Sequence, residues 1–172
     1  MLALLVHGSF TGVRIGIATA KAFSDSKHIK LTAVNSLEGL AYNINTNSNI
    51  ICSLIDAKND NVYYGIFEKK ENLFSPIFPI GFDNINNVIK ILKDKESITF
   101  IGDGALNYKE LLLNNFPNSN FANSQECLAS GVSIGKCGYY KYLNNEYGFS
   151  TVLSPLYLRK SQAEIALEEK NK

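Results

Sequence analysis

The segment that most constrains this chain is HGSFTGVRIGIATAKAF, from His7 to Phe23. An apolar run, Leu2 to Val6, leads into a turn of small residues, Gly8-Ser9-Phe10-Thr11-Gly12, and a helical pattern follows from Gly12 to Phe23. Strand, glycine turn, helix is the order that aims free helix N-terminal amides at an anion or a partner. A hydroxyl from Ser9 or Thr11 is placed to cap the helix. Val13, Ile17 and Ala20 recur at helical spacing as one face, with Gly16 and Phe23 beside it, and Arg14, Ala18 and Lys21 make a second face. Gly12 and Gly16 stand one turn apart and leave room for another element. Each costs about 1 kcal/mol against Ala inside a helix. A helix carrying that cost, and three β-branched residues in its first half, must be docked on both sides to hold.

The same residues carry a family resemblance. Gly8 to Ile15 matches, without a gap, the GSFTGVRIG motif of the TsaB family (also called YeaZ), and the match continues through Ile17, Ala18, Ala20 and Lys21. Val6 and His7 stand where the family has glycine and proline. VNSLEGLA, Val34 to Ala41, resembles the family's next segment, IDAKNDNVYYGIF, Ile55 to Phe67, a third, and SPLYLRKSQAE, Ser154 to Glu164, its C-terminal Pro-x-Tyr-Leu-Arg segment through Pro155, Tyr157, Leu158 and Arg159.

At 172 residues the chain is long enough for one sizeable domain or two small lobes around a buried core. An apolar content of 45% and a net charge of +1 describe a soluble globular chain with no electrostatic case of its own for nucleic acid. No apolar run approaches the roughly 20 residues that span a bilayer. Met1 to Val6 is too short and lacks the basic start of a signal peptide. The odd count of three cysteines, Cys52, Cys127 and Cys137, without CxxC spacing, reads as reduced, buried small residues of a cytoplasmic protein.

In chain order, Leu2 to Val6 is a buried strand, Ser24-Asp25-Ser26 ends the first helix, and Ile29 to Val34 is a short strand. Ser36 caps a helix from Leu37 to Asn45. An Asn/Ser/Thr loop, Asn45 to Asn49, marks a boundary. Ile50 to Asp56, Val62 to Glu68 and Leu73 to Pro79 are strands of an antiparallel meander, the last an edge because of its prolines. Ile85 to Leu92 is helical. Ile98 to Ile101 is a strand feeding Gly102-Asp103-Gly104 and a helix near Tyr108 to Asn114. Phe121 is a short strand. Glu126 to Leu143 is a long helix with Leu128, Val132, Gly135, Tyr139 and Tyr142 on one stripe.

From the residues alone the class is α/β. The resemblance implies more: a two-lobe fold of the actin, sugar-kinase and Hsp70 type (ASKHA, RNase H-like) with an incomplete first lobe. On that reading residues 1–46 are a remnant of the first lobe, 47–150 the second lobe, and 151–172 a tail returning to the first. Family members begin with a β-hairpin, a further strand and a helix ahead of the glycine motif.

Two segments bear on nucleotide chemistry. In catalytic relatives an Asp ending the strand at Asp56 helps place a phosphate and its metal. Here Ala57 and Lys58 follow where a glycine-rich turn would bring amides to the phosphate, and the plainer reading is a turn carboxylate. Gly102, Asp103 and Gly104 resemble a degenerate adenosine-contacting loop, or form a plain strand-to-helix turn. The resemblance implies that Arg159, on a tail that crosses back to the first lobe, clamps a carboxylate or helix end there; the plainer reading is a solvated tail with Tyr157 and Leu158 packed. The two histidines, His7 and His28, form no HxxxH or HExxH pair, so a protein-held metal site is not expected. No GxSxG and no P-loop is present, and peptidase labels attached to the family find no nucleophile, base or metal here.

The resemblance therefore implies a non-catalytic subunit that binds TsaD, the metal-bearing catalytic paralogue, together with TsaE, in the synthesis of N6-threonylcarbamoyladenosine next to the tRNA anticodon. It implies a homodimer when alone, tRNA contact only through the complex, no cofactor held by this chain, and ATP or ADP only at the level of the complex. Arg14, Ala18 and Lys21 are the expected partner-facing residues. The alternatives are a nucleotide-binding transferase or phosphohydrolase using Asp56 and the Gly102 turn, and an inert truncated fragment.

Overall fold

The computed structural model describes the backbone of Leu2–Leu5 and of residues 10–148, with side chains from Thr11 to Gly148. Gly8, Ser9, Pro155, Tyr157 and Arg159 lie outside these residues. Two sheets form. In the smaller, β1 (Leu2–Leu5) pairs in parallel with β2 (Leu31–Val34), Leu2 opposite Leu31 and Leu5 opposite Val34. Parallel strands need a crossover, and α1 (Phe10–Lys27) provides it. The helix begins before Gly12 and runs on through Ser24, Asp25 and Ser26, which sequence reasoning places at its end. Thr11 therefore lies inside the first turn and is not its cap. Ser24 stays helical because it is buried, donating to the Ile29 carbonyl at 2.6 Å.

The larger sheet is mixed. Its order is β5-β4-β3-β7-β8, with β6 also on β4. β3 (Ile50–Asp56) and β4 (Asn61–Lys70) are antiparallel, and β5 (Leu73–Pro76) and β6 (Gly81–Asn84) pair with successive halves of the same β4 edge. β7 (Ile98–Ile101) and β8 (Asn120–Phe121) extend the other side in parallel, so the meander is only half of the sheet. β3 is apolar on both faces because both are covered. Ile50, Cys52 and Leu54 pack with Val88 and Leu92 of α3 (Ile85–Leu92) and Leu112 of α5 (Lys109–Asn115). Ile51 packs on the opposite face with Leu37, Leu40 and Ala41 of α2 (Ser36–Ala41).

Three helix expectations are corrected. Asn35, not Ser36, caps α2: its side chain accepts from the Leu37 amide and Glu38 returns to the Asn35 amide, a reciprocal capping box. α4 (Asp103–Asn107) starts directly after Gly102, ahead of the helix expected near Tyr108. The last helix, α6 (Gly131–Leu143), begins at the Ser130 cap rather than at Glu126, because residues 123–128 close on themselves through the Asn123 side chain. Its apolar stripe also points the other way. Ser133, Cys137 and Gly138 are buried, while Val132 is 69% and Tyr139 52% exposed.

α6 is held in place by Lys141. Its ammonium lies 2.7 Å from Glu38 Oε2 on α2 and donates to the Ala33 carbonyl at 3.2 Å. Lys30 sits 4.0 Å from the centre of the Tyr147 ring, beside the point where Gly148 and Leu31 exchange two backbone hydrogen bonds.

Candidate functional site

Two regions gather the residues singled out by the sequence. The first is the outer surface of α1. Val13, Ile17 and Ala20 pack with Leu31 and form the inner face, as their spacing predicts. Arg14 and Ala18 are exposed and Lys21 is half-buried. The exposed arc continues past them onto Thr11, Gly12, Ile15 and Phe23, with Ile15 at 62% and Phe23 at 57%. Sequence reasoning set Phe23 beside the inner face. Counting 100° per residue puts it about 80° from Val13, on the flank of that face, and the structure leaves it exposed there. Ile15 was missed, although it lies about 160° away from Ile17 on the same helix. The Thr19 hydroxyl donates to the Ile15 carbonyl at 2.9 Å and so spends its polarity on the helix itself. The surface is one of small and apolar side chains flanked by a cationic edge.

The second region lies at the ends of β3 and β7. Asp56, Lys58, Gly102, Asp103 and Gly104, widely separated in sequence, meet here. Asp56 Oδ1 accepts the Lys58 amide at 3.0 Å. Its Oδ2 accepts the Lys58 ammonium at 2.8 Å and the Asn107 side-chain amide at 3.1 Å. The Asp56 side chain is only 8% exposed, whereas that of Lys58 is 82% exposed. The hydrogen bond from the Lys58 side chain, followed by the one from its backbone, holds the Asp56 carboxyl below the usual range, and the same contact raises Lys58. Asp103 Oδ1 accepts the amides of Asp56 at 3.0 Å and Gly104 at 2.8 Å. Asn107 is the member of this group that sequence reasoning missed. It lies four residues beyond Asp103, one helical turn on, which is the available signal.

The two glycines answer to packing. Gly102 has φ of +106°, and a Cβ there would lie 2.1 Å from the Leu54 carbonyl oxygen. A Cβ on Gly104 would lie 3.1 Å from the same residue's backbone. The bare backbone lets α4 cross directly over β3, and the Gly102 amide donates to Cys127 Sγ at 3.3 Å. As a chemical arrangement this is a polar knot, in which both oxygens of Asp56 and Oδ1 of Asp103 have donors from their own chain. The cysteines are free and buried, and burial raises Cys52 and pushes Cys137 up to about 12, so neither is poised as a thiolate. Among the described residues no helix is long and apolar enough to cross a membrane.

Residues 8–167 match the family model described as TsaD: tRNA N6-adenosine threonylcarbamoyltransferase. The tRNA threonylcarbamoyladenosine biosynthesis protein TsaB of Bacillus subtilis (strain 168) is 29% identical over 167 residues, covering 96% of this chain and 71% of that protein. A Pseudomonas aeruginosa protein described as similar to the peptidase YeaZ superposes with a TM-score of 0.73 at 21% identity, over 89% of this chain and 70% of its own. YeaZ from Pseudomonas aeruginosa gives 0.72 at 20%, over 88% and 71%. The mixed sheets and helices fit the ASKHA-type fold these structures share. Matched by that family model along nearly its whole length, the chain belongs to the family the model describes, and within it is similar to TsaB (YeaZ).

Proposed function

We propose that this chain is a non-catalytic scaffold subunit in the synthesis of N6-threonylcarbamoyladenosine next to the tRNA anticodon. It binds a TsaD-type enzyme, with TsaE, and contacts tRNA only through them. The observation that carries this reading is the match to a TsaB biosynthesis protein over 96% of the chain. The geometry supports it in two ways. The outer arc of α1 offers small and apolar residues, with Arg14 and Lys21 at its edge, as a helix seeking another helix does. Both Asp56 oxygens and Asp103 Oδ1 accept donors from within the chain, which supports a structural role there. ATP or ADP belongs to the complex, the free chain is a homodimer, and the working compartment is the cytoplasm.

The test is capture of Bacillus subtilis TsaD by the purified chain, alone and with TsaE. The unaltered chain retains TsaD, and Ala18→Arg combined with Ile15→Asp weakens capture by at least about tenfold while leaving the circular dichroism spectrum unchanged, because both positions are exposed. Failure of the unaltered chain to retain TsaD would overturn the reading. So would modification of tRNA by this polypeptide alone.

A further inference from the structure

A cavity of about 140 Å³ lies between α2, β5 and the C-terminal end of α6. Liquid water takes about 30 Å³ per molecule, so the space suits a group of a few heavy atoms. Glu38 and Tyr42 reach it from α2 and its end, Phe74 and Ser75 from β5, and Lys141 and Glu146 from α6 and the turn that follows. Its aromatic wall is held in place. Tyr42 is 8% exposed, and its oxygen accepts the Phe74 amide at 3.3 Å. The Tyr42 ring meets that of Phe74 near a right angle at 4.7 Å and stacks on Tyr140 at 5.8 Å. A wall fixed in advance leaves little to order when a ligand enters.

The charges around the cavity do not balance. Glu38 uses only Oε2 within the chain, for the Asn35 amide and the Lys141 ammonium. Its Oε1 accepts from no described residue, although the side chain is 15% exposed. Glu146 forms no ion pair among the described residues. Two carboxylates thus share one ammonium, and the C-terminal end of α6 adds partial negative charge. Burial first, then Glu38 and Glu146, push the Cys137 thiol beside them up to about 12, with Lys141 opposing. We infer that this cavity takes a guanidinium group, which bridges Glu38 Oε1 and the Glu146 carboxylate. A guanidinium presents five N–H donors in a planar fork, so one group serves two carboxylates on separate elements. An ammonium is a compact, strongly hydrated point charge that gives up more water on entering. Ser75 on β5 offers a hydroxyl acceptor at the same wall.

Neither the outer arc of α1 nor the Asp56 knot contributes to this cavity, so the inference and the TsaD-binding reading stand or fall independently. The test is a titration of the full, isotopically labelled chain with methylguanidinium at constant ionic strength, followed by the amide resonances of Phe74 and Ser75. Their shifts saturate. Glu146→Gln, an exposed position, weakens binding by at least about fivefold, while Glu110→Gln on the exposed side of α5 leaves it unchanged. Tetramethylammonium, with the same charge and no N–H, produces no saturable shift. A blocked Gly-Arg-Gly tripeptide separates the sources. Binding at least about tenfold tighter than methylguanidinium assigns the group to an arginine of a partner polypeptide, and equal affinity assigns it to a free small molecule. Three results would overturn the inference: no saturable shift at these amides, an equal response to tetramethylammonium, or unchanged affinity in Glu146→Gln.

Discussion

The Glu38–Lys141 pair joins α2, β2 and α6, and its worth follows from its surroundings. The two side chains are 15% and 22% exposed, between a surface pair, worth about 0–1 kcal/mol, and a buried one, whose breakage costs about 3–5 kcal/mol. Each partner also has a second bond. Glu38 Oε2 accepts the Asn35 amide at 2.9 Å, and Lys141 reaches the Ala33 carbonyl. Lys141→Met strips the carboxylate of its counter-ion and frees that carbonyl, and should cost about 2 kcal/mol. Glu38→Gln keeps an acceptor for the Asn35 amide and loses only charge, so about 1 kcal/mol is expected. The double variant should fall short of the sum by about 1 kcal/mol, the coupling energy of the pair. Equilibrium urea unfolding of the four proteins, fitted with a common slope, measures it. Because the pair is largely sheltered, 1 M salt should leave most of the coupling in place. A coupling below about 0.3 kcal/mol, the scatter of additive sites, would refute the argument and reduce the pair to a surface contact.

Three further substitutions test the glycine packing and the polar knot. Gly102→Ala should destabilise by about 3 kcal/mol or more, since it sets a methyl group against the Leu54 carbonyl at a φ of +106°. Gly131→Ala, with open space around its Cβ, should be neutral or stabilising by a few tenths. Equal melting temperatures for the two alanine variants would contradict the packing account. Asp56 has its carboxyl held low by Lys58. A depressed folded value adds stability that is complete above the ordinary Asp range near about 3.9 and is lost as pH falls through the folded value. Asp56→Asn should therefore lower stability at pH 7 and flatten the acid limb below about pH 4. Parallel acid limbs for variant and parent would show that Asp56 is not the group responsible.

What was legible in the sequence was whatever one periodicity and one neighbour decide. β3 reads as a strand covered on both faces because its apolar run is unbroken and bounded by turn residues, and α3 reads from Ile85, Val88 and Leu92. β6 was missed. Gly81-Phe82-Asp83-Asn84 has no apolar alternation, and it is a strand only because β4 is long enough to pair with two successive partners. The Asn35 cap of α2 was misplaced by one residue because Asn35 and Ser36 both suit a cap, and only the return of Glu38 selects between them.

The two candidate regions failed to be fully legible for a shared reason. A pattern names which residues lie together, not what lies beyond them. Val132, Gly135 and Tyr139 do share a side of α6, yet Cys137 and Gly138 face inward, because the close partners of α6 include β2 and α2. A stripe of this kind is recognised identically whether it is core or surface. In the same way Asp56, Gly102 and Asp103 do converge, and a ligand site and a strand crossing would both require it. Only the count of acceptors and the distance to Leu54 separate the two. Asp56 Oδ2 has two side-chain donors, Asp103 Oδ1 has two amides, and the missing Cβ of Gly102 is accounted for by a carbonyl at 2.1 Å. Residues already consumed by the fold have little left for a substrate, and the exposed apolar residues, which the fold does not consume, are where a partner has most to gain.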